Sequence, residues 1–330
     1  MNSIFNQFSV RFFQFIITLV TGLLFFGTLN AAEYPTKLVK IIAPVAPGGG
    51  VDLVARTVAD SLTKALGQSF IVDNQSGGGG VIASQAVARA TPDGYTLLLS
   101  YVGTHGTNPA VRKLPYDAIK DFTPVAMVGG TPNVLAVYAG LPIKNLKEFV
   151  AYALAHPDTM SYGSAGPGTL THLAMEQLKI QANFPSTHVP YRGIGPAFID
   201  TLGGQTLSMF PGLAAALPHL KSGKLRAIAV SGTKRHPLIP DVPTFKESGF
   251  DGFDGVQWYG ISAPAKLPLA IRDKLNQEIN KAIQNPELKE RLSAEAITPM
   301  PMSPEQFSIY IKDDIDRWTK VAKERKISLD

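Results

Sequence analysis

Two glycine-rich loops in this chain have residue types that could bind an anion through the backbone. The first, APVAPGGGVD, spans residues 43–52 and lies between a β-branched run and an amphipathic helical pattern. Unpaired N–H groups at the start of a helix attract anions, and glycines let a ligand reach them directly. A tight turn in which Asp52 caps the helix explains the same residues. This loop by itself therefore leaves both interpretations open.

The second loop, YGSAGPGTLTHL, spans residues 162–173 and also precedes a helical pattern. Ser164 and Thr169 place hydroxyl groups beside the amides of Gly166 and Gly168. Two such loops, one in each half of the chain, could face each other across a cleft. Their pairing favours an anion-binding site over two unrelated turns.

The serine of the second loop also raises the alternative of a serine hydrolase. A G-x-S-x-G elbow needs a glycine two residues before the serine, where this chain has Tyr162. Ser164, His172 and a distant aspartate could form a triad, but His172 lies on a predicted helix and is more simply a residue near the start of that helix. We therefore predict no catalytic residue. The first loop does not continue into a P-loop or a dinucleotide motif, and no cofactor is expected.

Three further side chains are candidate ligand contacts. His105 follows the third predicted strand, at the carboxyl end where ligand loops gather. Arg192 could hold a distal carboxylate through a bidentate pair, or it could be an ordinary surface charge. Trp258 could form a wall of the site or belong to the core. The six histidines show no H-E-x-x-H or i, i+4 pair and the chain has no cysteine, so no metal site is expected.

The composition is that of a globular protein, with 45% hydrophobic and 17% charged residues in a chain of 330. The formal net charge is +5, and the cationic residues are scattered apart from a KERK run near the end. This distribution does not favour nucleic-acid binding. A mildly positive field suits a small anionic ligand.

Residues 1–32 predict a secretory signal. Arg11 precedes the apolar run FFQFIITLVTGLLFFG and small residues follow that run, so cleavage is expected after Ala32. A single membrane anchor is the alternative, because the run is only a little short of the roughly 20 residues that span a bilayer. Gln14 and Thr18 within the run favour the cleaved signal. We expect the mature chain to be exported and soluble.

Strands and helices alternate in two series along the mature chain. In the first series, β-branched runs at residues 38–45, 69–75 and 95–100 alternate with helical patterns, and the second series begins near residue 132. This alternation predicts an α/β fold with parallel sheets that are covered by helices.

The chain is expected to cross between the two series near residues 130 and 256. Two crossings would form a hinge around a cleft, and the helical patterns after the second crossing, including one from Pro268 to about Ala294, are expected to pack on the first series. The predicted division is a signal peptide 1–32, lobe 1 33–130 with 257–330, and lobe 2 131–256.

Ordered sequence blocks cover nearly all of the mature chain: YPTKLVKIIAPVAPGGGVDLVAR, GGGVIASQAVARATPDGYTLLL, LPYDAIKDFTPVAMV, YGSAGPGTLTHLAMEQL, VPYRGIGPAFIDTLGGQ, GKLRAIAVSGTKRHPLIPDVPTFKESG and WYGISAPAKLP. They resemble the Bug-type extracytoplasmic solute receptors of tripartite tricarboxylate transporters. The resemblance implies a periplasmic binding protein of type II, with two α/β lobes and a two-crossing hinge around a ligand cleft. It implies a monomeric periplasmic receptor, not an enzyme, that delivers a small carboxylate to membrane permease subunits. A ligand sensor for a signalling partner is the alternative role.

The resemblance also implies how the ligand carboxylate is held, mainly by main-chain amides and ordered waters between the two loops. The loops map onto Ala46, Pro47, Gly48, Gly49 and Gly50 and onto Ser164, Ala165, Gly166, Gly168 and Thr169. The predicted site is completed by Asp52, His105, His172, Arg192 and Trp258. Val45, Val51 and Pro211 replace residues that are frequent in relatives, and the loss of polar groups there predicts a flatter or more apolar carboxylate.

Overall fold

The structure is a computed structural model that describes residues 34–48, 50–251, 253 and 255–329. The predicted signal peptide lies outside the described residues, as does Gly49 of the first loop. Residues Lys37–Asp330 form one compact unit. Within the described ranges, no helix combines the length and the apolar composition that crossing a membrane requires.

Most strands lie where β-branched runs predict them. The strands are β1 (Val39–Ala43), β2 (Phe70–Asn74), β3 (Thr96–Tyr101), β4 (Phe122–Pro132), β5 (Val134–Tyr138), β6 (Ser161–Ser164), β7 (Thr187–Pro190), β8 (Ser208–Met209), β9 (Leu225–Val230), β10 (Val256–Pro264) and β11 (Thr298–Pro299). The long strand β4 was not predicted, because the prolines and glycines of FTPVAMVGGTP are typical of strand ends and loops.

The α-helices follow the amphipathic patterns, with one correction. They are α1 (Gly50–Leu66), α2 (Val81–Ala88), α3 (Asn108–Val111), α4 (Leu146–Ala155), α5 (Leu170–Ala182), α6 (Ile194–Leu202), α7 (Leu213–Lys221), α8 (Leu269–Gln284), α9 (Pro286–Ala294) and α10 (Pro304–Glu324). The single helix predicted up to Ala294 is divided at Asn285, whose side chain accepts the N–H of Glu287 and caps α9. Pro286 then occupies the first position of α9, where a missing N–H costs nothing.

The first sheet has the strand order β11-β4-β10-β3-β1-β2. Strand β1 is parallel to β2 and β3, whereas β10 is antiparallel to both β3 and β4. The prediction of a parallel sheet is therefore wrong for β10. Parallel neighbours need a crossover connection, and β10 instead enters this sheet on its return from the second series.

The second sheet has the strand order β7-β6-β8-β5-β9. Strand β6 is parallel to β7 and β8, and β5 is antiparallel to β8 and β9. The chain enters this sheet at Asn133, between β4 and β5, and leaves it between β9 and β10. The lobe boundaries stay a prediction, but these two passages lie close to the crossings expected near residues 130 and 256.

The two passages between the sheets are hydrogen bonded to each other. The N–H of Asn133 donates to Ser231 Oγ at 2.8 Å, and that hydroxyl donates to the carbonyl of Gly255 at 2.8 Å. Asn133 and Ser231 are both buried. One serine hydroxyl thus joins the outgoing and the returning segment.

The last helices pack on the first sheet, where α8 and α10 both contact β4. Helix α10 also contacts α5, and Arg325, just after α10, forms an ion pair with Glu176 of α5. The chain then continues to Leu329, whose N–H donates to the carbonyl of Val111 at 2.8 Å. The end of the described chain therefore contacts segments that belong to both series.

Candidate functional site

A cavity of about 580 Å³ lies where strands of both sheets end. Its lining includes Tyr101 and Thr131, at the ends of β3 and β4, and Ala165 and Gly212, which follow β6 and β8. A larger cavity of about 630 Å³ is lined by residues of α1, α8 and α9 and contains no residue of either glycine loop. The first cavity is therefore the candidate site.

Both glycine loops reach this cavity at the point where each loop becomes a helix. Gly50, at the start of α1, and Ala165, Gly168 and Thr169, before α5, are in the lining. The remaining predicted residues that the structure describes are not in the lining: Ala46, Pro47, Gly48, Asp52, His105, Ser164, Gly166, His172, Arg192 and Trp258.

Asp52 organises the first loop. Its carboxylate accepts the N–H of Gly48 at 2.9 Å and Nδ2 of Asn74 at 2.8 Å, and Nε of Arg56 donates to it at 3.0 Å. Burial raises the pKa of this carboxyl, but the three hydrogen bonds and the charge of Arg56 together outweigh burial and hold the pKa below its usual range. The Gly48 amide is thus used by the protein, and Pro47 has no N–H. Pro47 therefore cannot donate to a ligand, and the contact expected of Gly48 stays a prediction.

Gly50 lies against a tyrosine on the cavity wall. A Cβ at this position would lie 3.2 Å from the hydroxyl of Tyr259, a tight approach that a glycine avoids. Gln257 Nε2 donates to the same hydroxyl at 2.8 Å. Burial raises the pKa of Tyr259, so its hydroxyl stays protonated at neutral pH and can donate a hydrogen bond to an anion.

The second loop is folded around its own amides. Three N–H groups that were expected to hold the ligand donate within the loop: Gly166 to Ser164 Oγ at 3.1 Å, Ala165 to Thr171 Oγ1 at 2.9 Å and Gly168 to His172 Nδ1 at 3.1 Å. These three amides are already hydrogen bonded, and their contact with a ligand stays a prediction. Leu170 and Thr171, the first residues of α5, also line the cavity, and N–H groups in the first turn of a helix have no intrahelical acceptor.

His172 stabilises the second loop through a hydrogen bond and ring stacking. Its ring stacks on His188 with the ring centroids 4.0 Å apart, and Tyr162 stacks on the other histidine at 4.9 Å. Burial lowers the pKa of His172 and His188 to about 4. Both rings are therefore neutral at pH 7, which leaves His172 Nδ1 able to accept the Gly168 amide. His172 positions the loop and is 6% exposed.

Ser164 forms a short hydrogen bond to a histidine, as a nucleophile and its base would. Its Oγ lies 2.6 Å from His188 Nε2. Ser164 has no exposed surface and is not on the cavity wall, whereas a nucleophile must contact the group it attacks. This geometry explains Ser164 as a loop anchor rather than as a catalytic residue.

The three side chains proposed outside the loops do not lie on the cavity. His105 is fully buried, its Nδ1 is 2.9 Å from Thr104 Oγ1, and burial lowers its pKa to about 3. Arg192 is exposed at the surface. Trp258 is fully buried and its Nε1 donates to Asp314 Oδ2 at 2.8 Å. Trp258 and His105 are therefore core residues. Their side chains are fully buried, although His105 Nε2 has no hydrogen-bond partner among the described residues.

Sequence patterns missed two polar side chains on the wall. Arg112 follows α3; its Nη1 donates to the carbonyl of Gly78 at 3.3 Å, and its buried Nε has no partner in the described part of the chain. Thr131 is 3% exposed and its Oγ1 likewise finds no partner among the described residues. Buried polar atoms are nearly always hydrogen bonded, and because both residues line the cavity, a ligand or a water there could supply the missing partners. The carboxyl end of β3 is the sequence signal for this region, and it points equally to His105.

The two mixed α/β sheets, with a cavity at their strand ends, define the class of periplasmic solute-binding proteins. MatC (Rpa3494) from Rhodopseudomonas palustris, solved with bound malate, is 35% identical, with 87% of this chain and 99% of that chain covered and a TM-score of 0.75. R. palustris Rpa4515, solved with adipate, is 33% identical, with 89% and 99% covered and a TM-score of 0.79. The predicted fold class is confirmed.

A family model described as "Tripartite tricarboxylate transporter family receptor" matches residues 54–327. Protein BugT of Bordetella pertussis (strain Tohama I) is 35% identical over 299 residues, which are 90% of this chain and 91% of that protein. The chain therefore belongs to the tripartite tricarboxylate transporter receptor family, and the resemblance to Bug-type receptors is confirmed. The family and its structural neighbours are solute-binding receptors and indicate a periplasmic location.

Proposed function

We propose that this chain binds a small carboxylate in the cavity between its two sheets and delivers it to the permease subunits of a tripartite tricarboxylate transporter. The observation that carries the proposal is the cavity wall itself, where the start of α5, the unpaired hydroxyl of Thr131 and the guanidinium of Arg112 meet one space. Each of these groups favours an anion. The malate and adipate of the two R. palustris structures support a carboxylate.

In this proposal one ligand carboxylate accepts hydrogen bonds from the first-turn N–H groups of Leu170 and Thr171. The Tyr259 hydroxyl contributes from the first sheet. The predicted lobes then close about the passages at Asn133 and Ser231, which brings the two halves of the wall together and excludes water. The closed form is the one that the permease recognises, since a ligand shifts a conformational equilibrium through its differential affinity for the two states.

A thermal-shift screen tests the binding step. A ligand that binds only the folded chain raises the free energy of unfolding by RT ln(1 + [L]/Kd), about 2.7 kcal/mol at a hundredfold excess over Kd. We expect at least one small carboxylate to raise the unfolding midpoint, with amines and alcohols of the same size as controls. If a non-carboxylate solute shifts the midpoint and no carboxylate does, the proposed ligand class is wrong. Uptake of the same compound by permease-containing cells, with and without this receptor, tests delivery against a sensor role.

A further inference from the structure

Arg112 lines the cavity, but its guanidinium group has few hydrogen-bond partners. Among the described lining residues, Arg112 and Glu295 are the charged side chains. In the described part of the chain Arg112 has no salt bridge, its hydrogen bond to the Gly78 carbonyl is long at 3.3 Å, and its Nε is buried without an acceptor. Such a guanidinium group can donate hydrogen bonds to an anionic ligand.

A second half-buried arginine of the same molecule shows the usual alternative. Arg226 donates to three backbone carbonyls, with Nη1 bonded to Leu141 and Ile143 at 2.8 Å each and Nη2 bonded to Ala139 at 3.2 Å. Arg226 is thus satisfied by the fold itself. Arg112 differs from it in lining the cavity and in having a buried Nε without a partner among the described residues.

Arg112 and the start of α5 both attract anions, and they belong to different parts of the fold. Arg112 follows α3, which packs against the turn after β3 of the first sheet, whereas α5 follows β6 of the second sheet. A ligand with one carboxylate can satisfy one of the two features, and a ligand with two can satisfy both. We propose that Arg112 is a specificity-determining residue that selects dicarboxylates by pairing with the carboxylate distal to α5. This inference rests on the proposed function.

This role of Arg112 differs from two expectations drawn from the sequence. The role of pairing with a distal carboxylate passes from Arg192, which is exposed, to Arg112 in the cavity wall. A cation in the wall also opposes the flatter, more apolar carboxylate that Val45, Val51 and Pro211 suggested. A fork of guanidinium donors matches a carboxylate in a bidentate arrangement.

The experiment measures Kd by calorimetry for linear diacids from succinate to adipate, each beside the monoacid of the same chain length. Wild type is expected to prefer the diacid of the best pair by about tenfold or more, the size of a charge-assisted hydrogen-bond contribution. Arg112→Gln should remove that preference by lowering diacid affinity about tenfold more than it lowers monoacid affinity. Arg112→Lys, which keeps the charge and loses the fork, should retain part of it. Arg192→Gln is the matched surface control and should change neither affinity.

The possible outcomes separate this inference from the proposed function. If no carboxylate binds wild type, the proposed function fails. If carboxylates bind but diacid and monoacid bind equally, or if Arg112→Gln weakens both equally, the second subsite is overturned while the receptor role stands. The unfolding midpoint of each variant without ligand shows that it is folded, and the Arg112→Lys result keeps the test decisive if Arg112→Gln is unstable.

Discussion

Ser164 has a structural role, although its short contact with a histidine resembles that of a catalytic serine. Its Oγ accepts the Gly166 amide and contacts His188 Nε2, and it has no surface exposed to a substrate. Buried hydroxyls with two such partners stabilise a loop because their removal leaves a donor or acceptor unpaired.

Ser164→Ala is expected to lower the free energy of unfolding by about 1–3 kcal/mol and to weaken carboxylate binding only modestly, because the loop loses an anchor rather than a ligand contact. Ser208→Ala is the matched control: Ser208 is buried and donates to the Ser161 carbonyl at 3.0 Å in the same sheet. It should cost similar stability and leave affinity unchanged. Urea unfolding and calorimetry measure both effects. Ester hydrolysis by wild type that disappears in Ser164→Ala would instead establish the hydrolase.

Residue types and spacing predicted the two loops but not which groups in them remain free. Glycine patterns show where a backbone can be approached, whereas Asp52 and His172 occupy the Gly48 and Gly168 amides through contacts that depend on the folded geometry. Arg112 carries no local motif, and its place on the wall follows from the path of the chain after β3. Its role was therefore not predictable from spacing alone.

At the scale of elements, α5 and the second loop rest on a stack of neutral rings. His172 and His188 have pKa values lowered by burial to about 4, and burial lowers the pKa of His105 to about 3. The groups that face the stack include Tyr162, whose hydroxyl donates to Glu176 at 2.6 Å. Acid is therefore expected to destabilise the support of the second loop.

The free energy of unfolding is expected to fall as the pH is lowered from about 6.5 to about 4. The unfolded histidines bind protons near their ordinary pKa of about 6.5, whereas the folded ones bind them only near 4 or below, so the unfolded state holds more protons in this window. Urea unfolding at a series of pH values measures the slope. His188→Gln should reduce the slope more than His156→Gln, which changes a histidine at the exposed end of α4. A flat profile between pH 6.5 and 4 would contradict the buried neutral stack.

The positions of the helices and strands were largely predictable from the sequence, but the pairing and direction of the strands were not. Hydrophobic periodicity located α1 and α5 within a few residues, because one apolar stripe faces the core. It did not reveal that β10 runs antiparallel in the centre of the first sheet, since strand direction depends on how the chain returns. The break at Asn285 was recoverable from the Asn-Pro-Glu sequence, which is typical of a helix start.

At the scale of the whole molecule, the two passages between the sheets behave as one joint. Ser231 Oγ bridges the Asn133 N–H and the Gly255 carbonyl, and Ser231 N–H donates to the Asn133 carbonyl at 2.8 Å. Helix α10 adds a second connection, because it contacts both β4 and α5. The sheets are therefore expected to unfold together.

Ser231→Ala is expected to lower the free energy of unfolding by about 1–3 kcal/mol, because it leaves a buried donor and a buried acceptor unpaired. Ser222→Ala is the control, since the exposed Ser222 hydroxyl donates to the His219 carbonyl at 3.1 Å, and it should cost less than about 0.5 kcal/mol. Urea unfolding followed by circular dichroism and by tryptophan fluorescence gives both values. Equal effects of the two substitutions would show that the passages are not coupled through Ser231.

The segment that follows α10 contacts α3 and the second glycine loop. Leu329 donates to the Val111 carbonyl, one residue before Arg112, and its side chain lies 2.8 Å from where a Cβ on Gly168 would be. A rearrangement of either neighbour on ligand binding must therefore displace this segment as well. An environment-sensitive dye attached there would report occupancy of the cavity without occupying the cavity itself, which makes the segment a practical attachment point for a ligand biosensor.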